Sequence, residues 1–211
     1  MAYTDIIQEK TEKANLDVKK EALIVRSGIE RMKNLIMSLL AYSRVGRGEM
    51  TKEKIELNSL LEEVMELLSA NIKDRSVEIE ISKISSAIFG NEMLIAQLFQ
   101  NLIENAIKFC PKDRNPKIKI TAKESLSASG FLEIAVNDNG IGIAPEFHEV
   151  VFEVFQRLNR REDYEGTGIG LSICKKIVEK HHGKIWLESK IDKGTTFLFT
   201  LPIFQKNKET T

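Results

Sequence analysis

Asn101, Asn105 and Lys108 are separated by four and three residues, a spacing that aligns them on one face of a helix. Two carboxamides and an ammonium placed this way can hold a metal–triphosphate unit. Carboxamide oxygens are hard ligands suited to Mg2+, which reaches proteins through few direct contacts, and Lys108 would neutralise phosphate charge. Leu102, Ile103, Ala106 and Ile107 would then turn the other side inward. An ordinary amphipathic helix with a solvated polar face carries the same pattern. Further on, Asp138 ends the apolar run Phe131 to Val136. A carboxylate at a strand end can accept from the exocyclic amine of adenine, and Gly140 and Gly142 would let the backbone approach the ring without a β-carbon clash. The plainer reading of Asp-Asn-Gly is a chain reversal.

Gly166, Gly168 and Gly170, with Thr167 between the first two, precede a helix that begins near Leu171. Glycines at a helix start free several N–H groups to face an anion, and the helix dipole assists. The spacing is GxGxG with no strand leading directly into it, which fits a Rossmann dinucleotide site poorly. No Gly-Lys-Ser/Thr follows, so a Walker A loop fails as well. Five of the twelve glycines fall between Gly140 and Gly170, a clustering that a plain loop does not require. Between the glycine runs, Phe152 and Phe155 with Val151 and Val154 form a compact apolar patch. Asn159 to Glu165 is too charged to be core and reads as a solvated loop, or as a lid that orders over a ligand.

The elements that must position these groups are legible in outline. Ile29, Met32, Ile36, Leu39 and Ser43 alternate steps of three and four, with Leu35 and Leu40 widening the stripe, which predicts one long amphipathic helix from about Val18 to Arg44. Tyr3 to Lys13 reads as a shorter helix and Asn15 to Asp17 as the turn between them. Two readings of this pair stay open: a hairpin packed on its own domain, or a seam facing another chain. Val45-Gly46-Arg47-Gly48 breaks the helix and sets a domain boundary near Met50. Beyond it come a strand at Ile55 to Leu57 and a helix capped by Asn58 or Ser59, with Glu62 and Glu63 in its first turn. Strands follow at Val77 to Ile81, Ala87 to Phe89, Ile118 to Ala122 and Phe131 to Val136. A helix from Leu171 to His181 stops at Gly183, ahead of strands at Ile185 to Leu187 and Thr195 to Leu201. Helices and strands are intermixed without regular βαβ units. That pattern predicts an α+β two-layer sandwich in 51–205, preceded by a helical segment in 1–50 and followed by a polar tail at 206–211.

Composition narrows the partners. Positive and negative side chains balance at 31 each, so no global field points to nucleic acid or an anionic membrane. Apolar stretches are broken by charge well short of the roughly 20 residues that a span requires. Met1 leads into no basic-then-apolar leader, and Cys110 and Cys174 lie far apart without metal-like spacing. The expectation is a soluble, cytoplasmic chain with free thiols.

Taken in order, Asn101 to Phe109, Asp138 to Gly142, Phe152 to Arg157 and Gly166 to Leu171 resemble the N, G1, F and G2 boxes of sensor histidine kinases, members of the GHKL ATP-binding superfamily. The resemblance covers nearly the whole chain. Arg31 to Arg44 is similar to the second helix of the dimerisation and histidine-phosphotransfer bundle, and Phe155 to Lys180 to kinases of the phytochrome-like branch. It implies a Bergerat-type fold, ATP and Mg2+ as cofactors, and transfer of the γ-phosphoryl group to a histidine for relay to a response-regulator aspartate. It also implies a homodimer through the N-terminal helices. By the same resemblance Asn105 is the principal metal-coordinating position, supported by Asn101. Phe109 lies against the base, Arg157 joins Lys108 at the phosphates, and Thr196, in Gly194-Thr-Thr196-Phe197, lines the adenine pocket.

The sequence departs from the family at its front. The family's His-Glu phosphoacceptor motif is not matched on a first bundle helix. His148-Glu149 has the dipeptide in the wrong region, and His181 and His182 close a helix where they complement its dipole or stand exposed. Two other functions remain open. One is a non-catalytic nucleotide-sensing interaction module. The other is a GHKL ATPase, which places a general-base glutamate where this chain has Asn101.

Overall fold

The computed structural model describes residues 5, 9, 19–46, 50–156 and 166–205. The expectations for Asn15 to Asp17, Arg157, Asn159 to Glu165 and the polar tail lie outside the described residues, as does most of Tyr3 to Lys13. The chain divides into two compact units, 1–41 and 42–211. The larger unit thus begins inside the long helix, where the sequence set the boundary near Met50.

Helix α1 spans Lys19–Gly46, close to the expected extent. In its first-unit part, Ile29, Met32, Ile36, Leu39 and Leu40 are exposed. Its last residues belong to the larger unit. There Val45 is buried, and Lys176 donates to the Tyr42 carbonyl at 3.0 Å while lying 3.9 Å from the Tyr42 ring centroid.

The larger unit holds β1 (Glu53–Ile55), α2 (Leu57–Leu67), α3 (Ser69–Asp74), β2 (Glu78–Ile81), β3 (Ile88–Gly90), α4 (Glu92–Lys108), β4 (Lys117–Glu124), β5 (Phe131–Asp138), α5 (Gly170–Lys180), β6 (Ile185–Lys190) and β7 (Gly194–Pro202). Five strands form one sheet in the order β2-β4-β5-β7-β6, and β1 pairs with β3 in a separate ribbon. Only the β2–β4 pair is parallel within the five-stranded sheet. Alternation decides the layers. Ile118, Ile120, Ile134, Val136, Phe197 and Phe199 are buried, as are Leu98, Phe99, Leu102 and Ile103 of α4, and Phe99 meets Phe199 edge-on at 5.6 Å. The opposite sheet face carries ion pairs in water, Lys117–Glu78 and Lys119–Glu80, both at 2.7 Å. This is the expected α+β two-layer sandwich.

One local expectation fails. Neither Asn58 nor Ser59 caps α2. The helix starts at Leu57 behind Glu56 with no side-chain cap, and its first turn holds no acidic residue. Asn58 is instead held by Ile84, whose carbonyl accepts from Nδ2 at 2.8 Å and whose N–H donates to Oδ1 at 3.3 Å. A long-range pair of backbone bonds outcompetes the local cap.

Candidate functional site

Helix α4 opens on Asn91, whose Oδ1 accepts from the Leu94 N–H at 3.0 Å. Its buried stripe fixes rotation about the axis, which leaves Asn101, Asn105 and Lys108 half-buried on the other side. Two of these meet the second glycine run, Gly166 to Gly170. A β-carbon on Gly170 would lie 3.5 Å from Asn101 Oδ1, and one on Gly166 only 2.5 Å from Lys108 Nζ. Lys108 Nζ also stands 4.3 Å from the Phe109 ring centroid. Helix α5 begins at Gly170 with no side-chain cap from Ile169, so its first-turn N–H groups can face an anion. Thr167 and Leu171 are half-buried in that loop and first turn, and the Phe155 N–H donates to the Gly168 carbonyl at 3.0 Å. The apolar patch is split: Phe152 is buried against Phe197, whereas Phe155 is exposed at φ +67°.

The C-terminal end of α4 also meets the first glycine run. The Ile141 N–H donates to the Phe109 carbonyl at 3.1 Å, and a β-carbon on Gly140 would lie 2.9 Å from that oxygen and 2.9 Å from Asp138 Oδ1. At Gly142, φ is +73° and a β-carbon would overlap the Lys190 carbonyl. These glycines are therefore required by the protein's own packing. Asn139 serves the turn, accepting from the Lys117 N–H at 2.8 Å and donating to the Asn115 carbonyl at 3.0 Å.

Asp138 is buried, and its Oδ1 accepts from the N–H groups of Gly140 at 2.8 Å and Thr195 at 3.1 Å. Burial pushes its carboxyl up to about 6, and the two N–H bonds oppose that rise without cancelling it. A desolvated carboxylate with a second oxygen, Oδ2, that takes neither bond is suited to accept from a ligand.

Thr196 falls elsewhere. Its Oγ1 accepts from Asn137 Nδ2 at 2.8 Å, and Asn137 alternates with Val136 and Asp138 to the solvent side of β5. Thr195 is the threonine beside Asp138. With adjacent threonines, sequence spacing does not tell which one faces inward, and the expectation for Thr196 moves to Thr195. Sequence reasoning also passed over Ser189, which contacts the Gly194 carbonyl and the Thr195 hydroxyl. Its only signal was a polar residue opposite Thr195 in the β6–β7 register.

His181 is fully buried, which corrects its reading as a dipole complement or an exposed residue. Its Nε2 accepts from the Asn91 N–H at 3.0 Å, so Nδ1 carries the proton and donates to the Ile177 carbonyl at 2.8 Å. Burial holds its pKa below the ordinary histidine value. His148 Nε2 lies 3.1 Å from the Ile143 carbonyl, and His182 is exposed. Glu104 takes Gln100 Nε2 at 3.0 Å along the helix, about 100° from Asn105 around the axis.

The donor set fits a metal that arrives with its phosphates. Among the described residues no cluster of three His, Cys, Asp or Glu side chains could hold a metal alone. Asn101 Nδ2, however, is buried without a partner at the face that meets Gly170. A buried orphan amide calls for a ligand atom, whichever end of the carboxamide is turned toward it.

Residues 90–205 match the family described as histidine kinase-, DNA gyrase B- and HSP90-like ATPases. Over 203 residues the chain is 38% identical to the phytochrome-like protein Cph1 of Synechocystis sp., covering 96% of this chain and 26% of that protein. It spans about a quarter of the length of the phytochrome relatives it matches. Among solved structures, the histidine kinase ThkA in complex with the response regulator protein TrrA superposes with a TM-score of 0.69 at 27% identity, covering 96% of this chain and 57% of that one. Full-length ShkA in complex with AMPPNP superposes at 0.71 with 24% identity, covering 89% and 39%, a likeness of fold.

Proposed function

The chain belongs to the family of histidine kinase-, DNA gyrase B- and HSP90-like ATPases, and from that premise we propose that it is the ATP-binding catalytic portion of a two-component sensor histidine kinase. The observation that carries this reading is the convergence on α4. Asn101 and Lys108 meet the Gly166–Gly170 loop, while the adjacent Phe109 carbonyl meets the Gly140–Ile141 turn. Three segments distant in sequence thereby meet along the C-terminal part of α4, which brings the Asp138 acceptor, the Lys108 ammonium and the N–H groups at the start of α5 to one helix.

Asp138 accepts from the adenine amine, and Phe109 packs beside the base. Asn105, supported by Asn101, would hold Mg2+, which would supply charge neutralisation at the phosphates when bound. Lys108, the free N–H groups at the start of α5 and Arg157 offset charge on the phosphates. Positioning and charge neutralisation do most of the work in phosphoryl transfer. The γ-phosphoryl group leaves ADP for a histidine nitrogen on an acceptor helix; His181 is not that acceptor, since it is buried and both its nitrogens are engaged. Relay to an aspartate of a response-regulator receiver domain follows, by analogy with the ThkA–TrrA complex. The exposed apolar stripe of α1 supports a homodimer through the N-terminal helices. No described helix is long and apolar enough to cross a membrane, and the catalytic portion acts in the cytoplasm, where ATP and receiver domains are found.

The ATPase reading requires a general base that this site lacks, because Asn101 occupies that position and Glu104 is committed to Gln100. The test supplies the chain with labelled Mg-ATP and a separate acceptor domain bearing a phosphoaccepting histidine helix. Label on the acceptor supports the kinase reading. Free phosphate without transfer supports an ATPase, and tight binding with neither supports a sensing module.

A further inference from the structure

Two strands away from Asp138, Ser189 of β6 makes three contacts through one hydroxyl. It accepts from the Ile143 N–H at 2.8 Å, donates to the Gly194 carbonyl at 2.9 Å and lies 2.9 Å from Thr195 Oγ1. A serine hydroxyl has one proton and two lone pairs. With the proton spent on Gly194, the Thr195 hydroxyl must donate to Ser189, and every valence of the group is filled. The three partners are the residues that frame Asp138. Ile143 ends the turn begun at Asp138, and Gly194 and Thr195 open the strand whose N–H reaches Asp138 Oδ1. The β6–β7 turn is tied to the same loop by the Asp192 N–H, which donates to the Ile141 carbonyl at 2.8 Å.

We infer that Ser189 is a positioning residue for purine selection: its hydroxyl fixes the Thr195 amide against Asp138 and the Ile143 backbone behind it, and so sets how well the carboxylate accepts an exocyclic amine. This rests on the adenine-binding reading of the site. A side chain that only braced the turn would affect stability and nothing else. Ser189 sits upstream of an electrostatic balance, because the Thr195 N–H is one of two bonds that favour the ionised form of Asp138 against burial. The other titratable group that senses Asp138 is the buried Cys110 thiol, itself raised by desolvation and countered by Arg114 and Arg75. Losing the hydroxyl frees the Thr195 amide to drift and raises the Asp138 carboxyl further.

The experiment titrates Mg-ATP and Mg-ITP, which carries a carbonyl in place of the amine, into the wild-type chain, Ser189→Ala and Ser189→Thr over a pH series. Comparing variants with one nucleotide cancels that nucleotide's own titration. Ser189→Ala is expected to weaken ATP about tenfold while leaving ITP nearly unchanged. It should also move the acid-side midpoint for ATP binding upward from the wild-type value. Ser189→Thr, which keeps the hydroxyl, should restore both. An unchanged ATP-to-ITP ratio and midpoint in Ser189→Ala, whatever its melting temperature, would overturn the inference while leaving adenine binding intact. A wild-type chain that binds ATP no better than ITP would overturn the underlying reading as well.

Discussion

Lys108 Nζ occupies the space beside Gly166, 2.5 Å from where a β-carbon on that glycine would stand. An ammonium on the α4 face and the first glycine of the loop before α5 are thus in direct apposition, at a backbone φ of +151° that disfavours other residues. Gly166→Ala is expected to push Lys108 out of place and to weaken Mg-ATP about tenfold, with little change in binding of adenosine, which has no phosphate to lose. Calorimetric titration of both ligands checks this, and equal losses for the two would contradict it.

Asn105 is half-buried on the polar side of a helix whose packing rests on Leu102, Ile103 and Ala106. Asn105→Ala should therefore weaken Mg-ATP by more than about tenfold while lowering Tm by less than about 4 °C. A large fall in Tm with unchanged affinity would remove Asn105 from the metal site.

The Asp138 carboxyl titrates near 6 rather than at its ordinary 3.8. A raised carboxyl contributes stability that is full below the ordinary value and is lost as pH rises through about 6. Asp138→Asn should accordingly raise the Tm of the nucleotide-free chain at neutral and alkaline pH, and leave it nearly unchanged in strong acid. The same substitution should weaken ATP more than GTP, since it removes the acceptor for the amine. A pH series of thermal melts and paired titrations reads both effects, and equal losses for ATP and GTP would count against the assignment.

Much of this site could be read from spacing alone. The four- and three-residue steps of Asn101, Asn105 and Lys108 specify one helix face whatever the rest of the fold does, and the buried stripe between them fixes which way that face points. What spacing cannot supply is the phase of a strand relative to its sheet. Thr195 and Thr196 exchange roles on a shift of one residue, and only the pairing of Thr196 with Asn137 settles it. Asn58 escaped for a related reason: its partner, Ile84, lies far along the chain, and local capping rules carry no information about such a bond. Ser189 likewise acts through residues that only β6–β7 pairing brings near it.

His181 was illegible in the sequence because burial at a helix end depends on what packs over it. Its lowered pKa means that the folded state resists protonation, so stability present above the ordinary histidine value is lost as pH falls below it. His181→Gln is expected to cost about 1–3 kcal/mol at neutral pH by breaking the Asn91 and Ile177 bonds. It should also flatten the acid limb of the Tm profile attributable to this side chain. An unaltered profile together with phosphate found on His181 after incubation with ATP would contradict the buried, neutral assignment.

The most direct test is calorimetric titration of ATP into this chain with and without Mg2+, repeated on Asn105→Ala. The account predicts saturable binding at a single site that strengthens with Mg2+ and loses that Mg2+ dependence in the variant. Absence of ATP binding to the folded wild-type chain, or binding indifferent both to Mg2+ and to Asn105, would contradict it.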